Sequence, residues 1–180
     1  CQEKLVPLLS RSFPGIEVKA EDRGQDPQRD DFDFHLPTGS IYRHCIPEIC
    51  ENSKPDAFLV PNPERVNFWQ ERLKAISDGP YIGVCWKSSD RSLTRFKNYA
   101  PIAEWSPIFN IPGVTFINLQ YKDFLSDLTK IQSLFGVTVH NFDDLDQYDN
   151  LDDVSALCAA LDMVVSTKTT VPLIAAGVGT

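Results

Sequence analysis

Five consecutive residues, Ser166-Thr-Lys-Thr-Thr170, combine four hydroxyls with one ammonium between the apolar run 163–165 and apolar sequence from Val171 onward. That pattern predicts a buried strand feeding a helix whose first turn is lined by Ser166, Thr167, Thr169 and Thr170. The first turn of a helix leaves backbone N–H groups unpaired and carries a partial positive charge, which suits a phosphate. Lys168 adds a full charge in the same turn. The same residue types also cap helices, and this segment by itself leaves both readings open.

A second segment tips the balance toward an anion. Residues 87–99, Lys87-Ser-Ser-Asp-Arg-Ser-Leu-Thr-Arg-Phe-Lys-Asn-Tyr99, hold four cations and four Ser or Thr hydroxyls in thirteen positions, in a chain of net charge −8. Lysine and arginine beside short hydroxyls are what a diphosphate needs, charge to neutralise it and donors to orient it. A solvated basic loop has the same composition when taken alone. Two phosphate-friendly segments on one edge of a sheet are harder to dismiss, and they share that edge if the sheet order follows the chain.

The elements that must position these segments follow from periodicity. Residues 2–13 place Leu5, Leu8, Leu9 and Phe13 near helical spacing. A short strand is expected at 16–18, an exposed polar loop at 21–31, a strand at 32–36 and a helix from near Ile41. Residues 51–63 read as an extended linker. A capped amphipathic helix follows to Ile76, with Asn62 as cap and Pro63 at the first helical position. Strands are expected at 81–86, 114–119, 137–140 and 163–166, and helices at 101–109, 123–135, 151–161 and from 171. Strands separated by helices of this length predict an α/β fold with a Rossmann-like parallel sheet covered on both faces. Ligands on such sheets bind beyond the carboxyl ends of the strands.

The charge of −8 argues against non-specific nucleic-acid binding. No apolar stretch approaches the roughly 20 residues of a membrane span. Five cysteines without a CxxC pair or zinc spacing suggest reduced thiols and a cytoplasmic setting, with Cys85 and Cys158 as small core residues. Scattered histidines give no metal site. The aspartates at 143, 144, 146 and 149 lack the Gly and terminal Glu of a calcium loop, and are expected to serve the start of the helix at Leu151. Both ends of the chain read as cut, which predicts a fragment of a longer protein.

Gly83-Val-Cys-Trp-Lys-Ser-Ser89, Arg95-Phe-Lys-Asn-Tyr-Ala-Pro101, Trp105-Ser-Pro-Ile-Phe109 and Pro112-Gly-Val-Thr-Phe-Ile-Asn-Leu-Gln-Tyr121 resemble the C-terminal region of bacterial tetratricopeptide-repeat glycosyltransferases. Those proteins are similar to O-linked N-acetylglucosamine transferases and lipopolysaccharide heptosyltransferases, of GT-B type. The resemblance continues through Asp143-Asp-Leu-Asp146, Asn150-Leu-Asp-Asp153, Ala159-Ala-Leu-Asp-Met-Val-Val-Ser166 and the Thr169-Thr170 turn. It reaches back through Pro61 to Leu73 and through residues 32–37. It implies two facing Rossmann-like domains. Residues 1–50 would be the tail of the first, 51–78 a linker and connecting helix, and 79–180 most of the nucleotide-sugar-binding second.

By that resemblance Lys97 contacts the diphosphate, Ser88 and Ser89 line the loop beneath it, and Thr169 and Thr170 bind it at the helix start. Gln120 lies near the nucleotide. A metal-free transferase must stabilise a leaving nucleoside diphosphate, and Lys97, Lys168 or Arg91 with the helix N-terminus would do so. The donor is a nucleotide sugar and the acceptor a protein or glycan, with no resident cofactor or metal. The pattern departs at Lys168, where related enzymes carry Asp or His, and at Leu173, which replaces a His or Asp facing the donor. The alternative is therefore a non-catalytic Rossmann-like module that has lost donor chemistry. An incomplete N-terminal part also offers a route to homo-oligomers. The isolated chain is expected to be inactive.

Overall fold

The computed structural model describes residues 1–21, 33, 34, 36, 37, 40, 56–88 and 99–180. Four strands, β1 (Tyr81–Cys85), β2 (Thr115–Asn118), β3 (Val139–His140) and β4 (Met163–Ser166), form one sheet in the order β3-β2-β1-β4. Every pairing is parallel, with Ile82 opposite both Phe116 and Met163, and Phe116 opposite Val139. The chain thus builds outward from β1 through β2 to β3, then crosses back to lay β4 on the other side of β1. That reversal puts the carboxyl ends of β1 and β4 side by side. The sheet order does not follow the chain, and this is what makes the strand ends that lead into Lys87 and Thr167 immediate neighbours.

Alternation along β1 divides the core. Ile82, Val84 and Trp86 face one side, with Phe109, Phe116, Ile131 and Trp105. Cys85 faces the other, with Trp69, Leu73, Leu119, Leu157 and Ile174. This is the period of two expected for a pleated strand. Gly83 has no side chain because a Cβ there would lie 2.5 Å from Leu119 and 2.7 Å from Leu161.

On the first face, a 3-10 turn at Ile102–Trp105 runs into a single-turn helix α3 (Ser106–Phe109), and α4 (Leu125–Phe135) follows β2. A single helix over 101–109 is not formed. Pro107 has no N–H to continue a helical ladder into the preceding turn. Helix α4 begins at Leu125 because Asp123 sits at φ 52, outside helical geometry. It ends at Gly136, whose φ of 68 suits glycine.

The second face is covered by α1 (Val6–Ser12, preceded by a 3-10 turn at Glu3–Leu5), α2 (Pro63–Lys74), α5 (Leu151–Ala159) and α6 (Val171–Val178). The Asn62 side chain accepts from Glu64 N–H at 3.0 Å and Arg65 N–H at 3.3 Å, the cap its sequence foretells. The helix expected within the connection packs directly into the core, with Trp69 and Leu73 fully buried. Each such side chain contributes on the order of 1.5–3 kcal/mol. Upstream of α2, Phe58 and Leu59 donate their N–H groups to Gly177 O, both at 2.8 Å. Leu59 fills the space where a side chain on Gly177 would go.

The strand expected at 16–18 is not formed. Ile16 is exposed, and among the described residues no strand lies beside this short run to pair with it. Of the strand expected at 32–36, Phe32 and His35 lie outside the described residues, and Asp33, Phe34 and Leu36 are not in a strand. The helix expected from Ile41 and most of the 21–31 loop also lie outside the described residues. Among the described residues, no helix is long and apolar enough to cross a membrane.

Candidate functional site

The carboxyl ends of β1 and β4 meet at the point where strand order reverses, the position at which open α/β sheets bind ligands. Cys85 pairs with Ser166 at the end of the ladder, and Thr167 N–H donates to Cys85 O at 2.9 Å. From this point β1 leads into Lys87 and Ser88, and β4 leads into the turn that opens α6. Ser88 Oγ lies 3.3 Å from the Tyr121 hydroxyl at the end of β2. Ser89, Arg91 and Lys97 lie outside the described residues.

The two threonines of the turn differ in role. Thr169 Oγ1 accepts from Val171 N–H at 3.3 Å and lies 3.4 Å from Ser166 Oγ and 3.8 Å from Cys85 Sγ, so it caps the helix and ties the turn to the sheet. Thr170, at the cap position itself, makes no side-chain cap and stays exposed. Lys168 is exposed beside it. Pro172 brings no N–H to the first turn, and Val171 N–H is already taken. Helix α6 therefore offers an anion fewer amides than an ordinary helix start does.

Gln120 is fully buried against the end of β1. Its Oε1 accepts from Lys87 N–H at 3.0 Å and from the Cys85 thiol at 3.6 Å, while its own N–H donates to Asn118 Oδ1 at 2.9 Å. Asn118 in turn donates to Asn141 Oδ1 at 2.8 Å. This buried amide network clamps the ends of β1 and β2 and fixes where the loop leaves the sheet. Burial raises the Cys85 thiol above its ordinary pKa, partly offset by Thr169 and Ser166.

Lys87 is not available as a phosphate cation. Its ammonium donates to Asp127 Oδ2 and to Asp123 O, and Trp86 Nε1 shares the Asp127 carboxylate at 2.8 Å. The aspartates of the acidic run are also engaged. Asp144 pairs with Arg72 at 2.6 Å, which holds its carboxyl below the usual range. Asp146 accepts from Asp149 and Tyr148 N–H groups, both at 2.9 Å, and is lowered by them. Asn150 caps α5 by accepting from Asp153 N–H at 3.2 Å.

A groove of about 530 Å³ opens beside the α6 turn, lined by Lys4, Leu5, Tyr121, Gln147, Tyr148 and Thr170 among others. The Tyr121 and Tyr148 rings lie 5.9 Å apart. The Tyr148 ring carries Lys122 Nζ at 3.6 Å and Lys4 Nζ at 3.9 Å from its centre. Two buried polar atoms at this edge, Gln147 Oε1 and Thr167 Oγ1, have no hydrogen-bond partner among the described residues. Lys4 and Tyr148 are absent from the sequence-derived site because only tertiary packing brings the first helix against the loop before α5. Tyr121 carries a signal, since it follows a buried strand end.

No family model matches the chain, and no solved structure matches it. It is 33% identical over 190 aligned positions to Protein FlbA of Caulobacter vibrioides, an alignment that takes in 99% of this chain and 32% of that protein. The chain thus spans about a third of the length of the curated relative it matches, whose alignment takes 32% of its length.

Proposed function

We propose that this chain is the donor-binding region of a glycosyltransferase resembling the tetratricopeptide-associated and O-linked N-acetylglucosamine enzymes, and that it binds a nucleoside diphosphate sugar for transfer to a protein or glycan. The observation that carries the reading is the topological switch point. There the Ser166–Thr170 turn and the outlet of the basic loop leave neighbouring parallel strands, directly beside a groove walled by two tyrosines. The diphosphate would lie over Thr170 and Lys168, with Ser88 at its flank and Arg91 and Lys97 supplied by the loop. A planar base entering the groove would meet Tyr121 at its wall, and the buried Gln147 Oε1, an acceptor without a donor among the described residues, stands at the same edge. Charge on the leaving diphosphate would be met by lysines and a helix start, with no divalent metal in the scheme.

A second reading, a binding module without transfer chemistry, is favoured by one observation. Leu173, in the first turn of α6, is 71% exposed, and a leucine at that place can offer a donor sugar no polar side chain.

Calorimetric titration of the chain with UDP in EDTA tests the first reading. Binding that weakens severalfold in Thr170→Val supports it, and no heat at millimolar UDP refutes it. Donor hydrolysis or transfer by the longer parent protein separates the enzyme from the module.

A further inference from the structure

One wall of the groove comes from a distant part of the chain. The Glu3–Leu5 turn supplies Lys4 and Leu5 to the lining, while the remaining walls come from the loop after β2, the start of α5 and the start of α6. Leu8 and the partly buried Leu5 pack this wall on the core, and the other ties that hold it are polar. Arg11 donates through both of its terminal nitrogens to the two Asp152 oxygens at the first turn of α5, and through Nε to Val60 O at 2.8 Å. Ser12 Oγ accepts from Val60 N–H at 2.9 Å, and Lys4 Nζ donates to Tyr148 O at 2.7 Å. Leu8 is the one fully buried side chain of the helix itself. An element with a single buried anchor and several partly exposed polar ties belongs to the low-stability end of a fold.

We propose that Arg11 and Asp152 are a positioning pair, and that the pair holds residues 3–12 as a separable strap forming one wall of the ligand groove. Released, the strap opens ahead of the core and ligand affinity falls. The neighbouring carboxylate, Asp153, holds a different helix by gripping Arg65 and Trp69. Adjacent residues of one helix turn thus divide the work, with Asp153 fixing the core and Asp152 the strap. The coupling to ligand rests on the nucleotide reading above; the separability of the strap does not.

The test is amide hydrogen exchange on the intact 180-residue chain, with and without UDP, in wild type, Asp152→Asn and the charge-swapped pair Arg11→Asp with Asp152→Arg. The expected result is faster exchange at residues 3–12 in Asp152→Asn while β1, β2 and α4 keep wild-type protection. UDP affinity should fall about tenfold, with partial recovery of both readouts in the swapped pair. Exchange that rises equally in strap and core overturns the strap, whatever UDP does. Tight UDP binding unchanged in Asp152→Asn overturns the coupling. Absence of UDP binding in wild type removes the nucleotide reading and the coupling with it, leaving separability to be decided by the exchange pattern.

Discussion

Both faces of the sheet pack apolar side chains, but among the described residues carboxylate ties between helices stand on one of them alone. On the face without them, Phe109 stacks on Phe135 at 5.5 Å and meets Phe116 edge-on at 5.2 Å, with Trp105 beside it. That layer is apolar apart from the buried Trp105 Nε1 and the place where Lys87 and Trp86 meet Asp127 at the sheet's carboxyl edge. On the other face the helices are joined by carboxylates, with Asp153 bound to Arg65 and Trp69, Asp152 to Arg11, and Asp144 to Arg72. The apolar layer supports the sheet, and no residue of it lines the groove. The charged layer carries the groove and its α1 wall. Directional contacts fix orientation where dispersion fixes only proximity, so the contrast places geometric control on the side that faces the candidate site.

The sharpest break in that contrast comes from the apolar side. Phe109→Ala removes a ring that is 1% exposed and packed on three aromatic neighbours, and should cost about 3–5 kcal/mol of stability in urea unfolding. A loss below about 1 kcal/mol would mean that this layer is loosely packed. Next in size is Asp153→Ala, which strands the Arg65 guanidinium and the Trp69 Nε1 donor. Because Arg65 is partly exposed, about 2–3 kcal/mol is expected, less than for a fully buried pair. Stability within 0.5 kcal/mol of wild type, roughly the scatter of surface substitutions, would show that the clamp is dispensable. Gly177→Ala should cost about 1–3 kcal/mol by driving a methyl into Leu59, and the same substitution should cost less when made in a Leu59→Ala background, read as a double-mutant cycle.

A pH titration gives a smaller, signed effect. Burial pushes the Cys158 thiol up to about 12, above its unfolded value. The resulting stability is fully present below the unfolded pKa, from which it declines as the pH climbs toward 12, because the unfolded chain gives up the proton that the folded one keeps. The wild-type chain should therefore lose stability above about pH 9 more steeply than Cys158→Ala, by at most about 1.4 kcal/mol per pH unit. Parallel curves for the two proteins would place the thiol outside the core.

The four strands of the sheet and most helices were legible because buried apolar runs and Asn caps are local signals, whereas the exposed run at 16–18 carries apolar residues without forming a strand. Asn62-Pro63 marks the start of α2, and Gly79-Pro80 separates it from β1. The sheet order was not legible, since nothing local states that β4 returns to β1 rather than adding beyond β3. Basic composition marked the loop at Lys87 but did not reveal that Asp127, forty residues on, holds that lysine. The resemblance puts Gln120 near the nucleotide, yet its side chain is spent on Lys87 N–H at the end of β1. The Tyr148 wall and its two lysines escaped a sequence reading altogether, because Lys4 reaches Tyr148 across 144 residues.

The central claim is that the reversal of strand order between β1 and β4 marks a nucleotide site. Chemical-shift mapping of the isotope-labelled chain with UDP in EDTA tests it most directly. The account predicts shifts concentrated at Ser88, Tyr121, Tyr148 and residues 167–170, with Phe109 and Phe135 unmoved. Shifts confined to the opposite edge, around Gln70 and Asp162, or binding that requires magnesium, would contradict it.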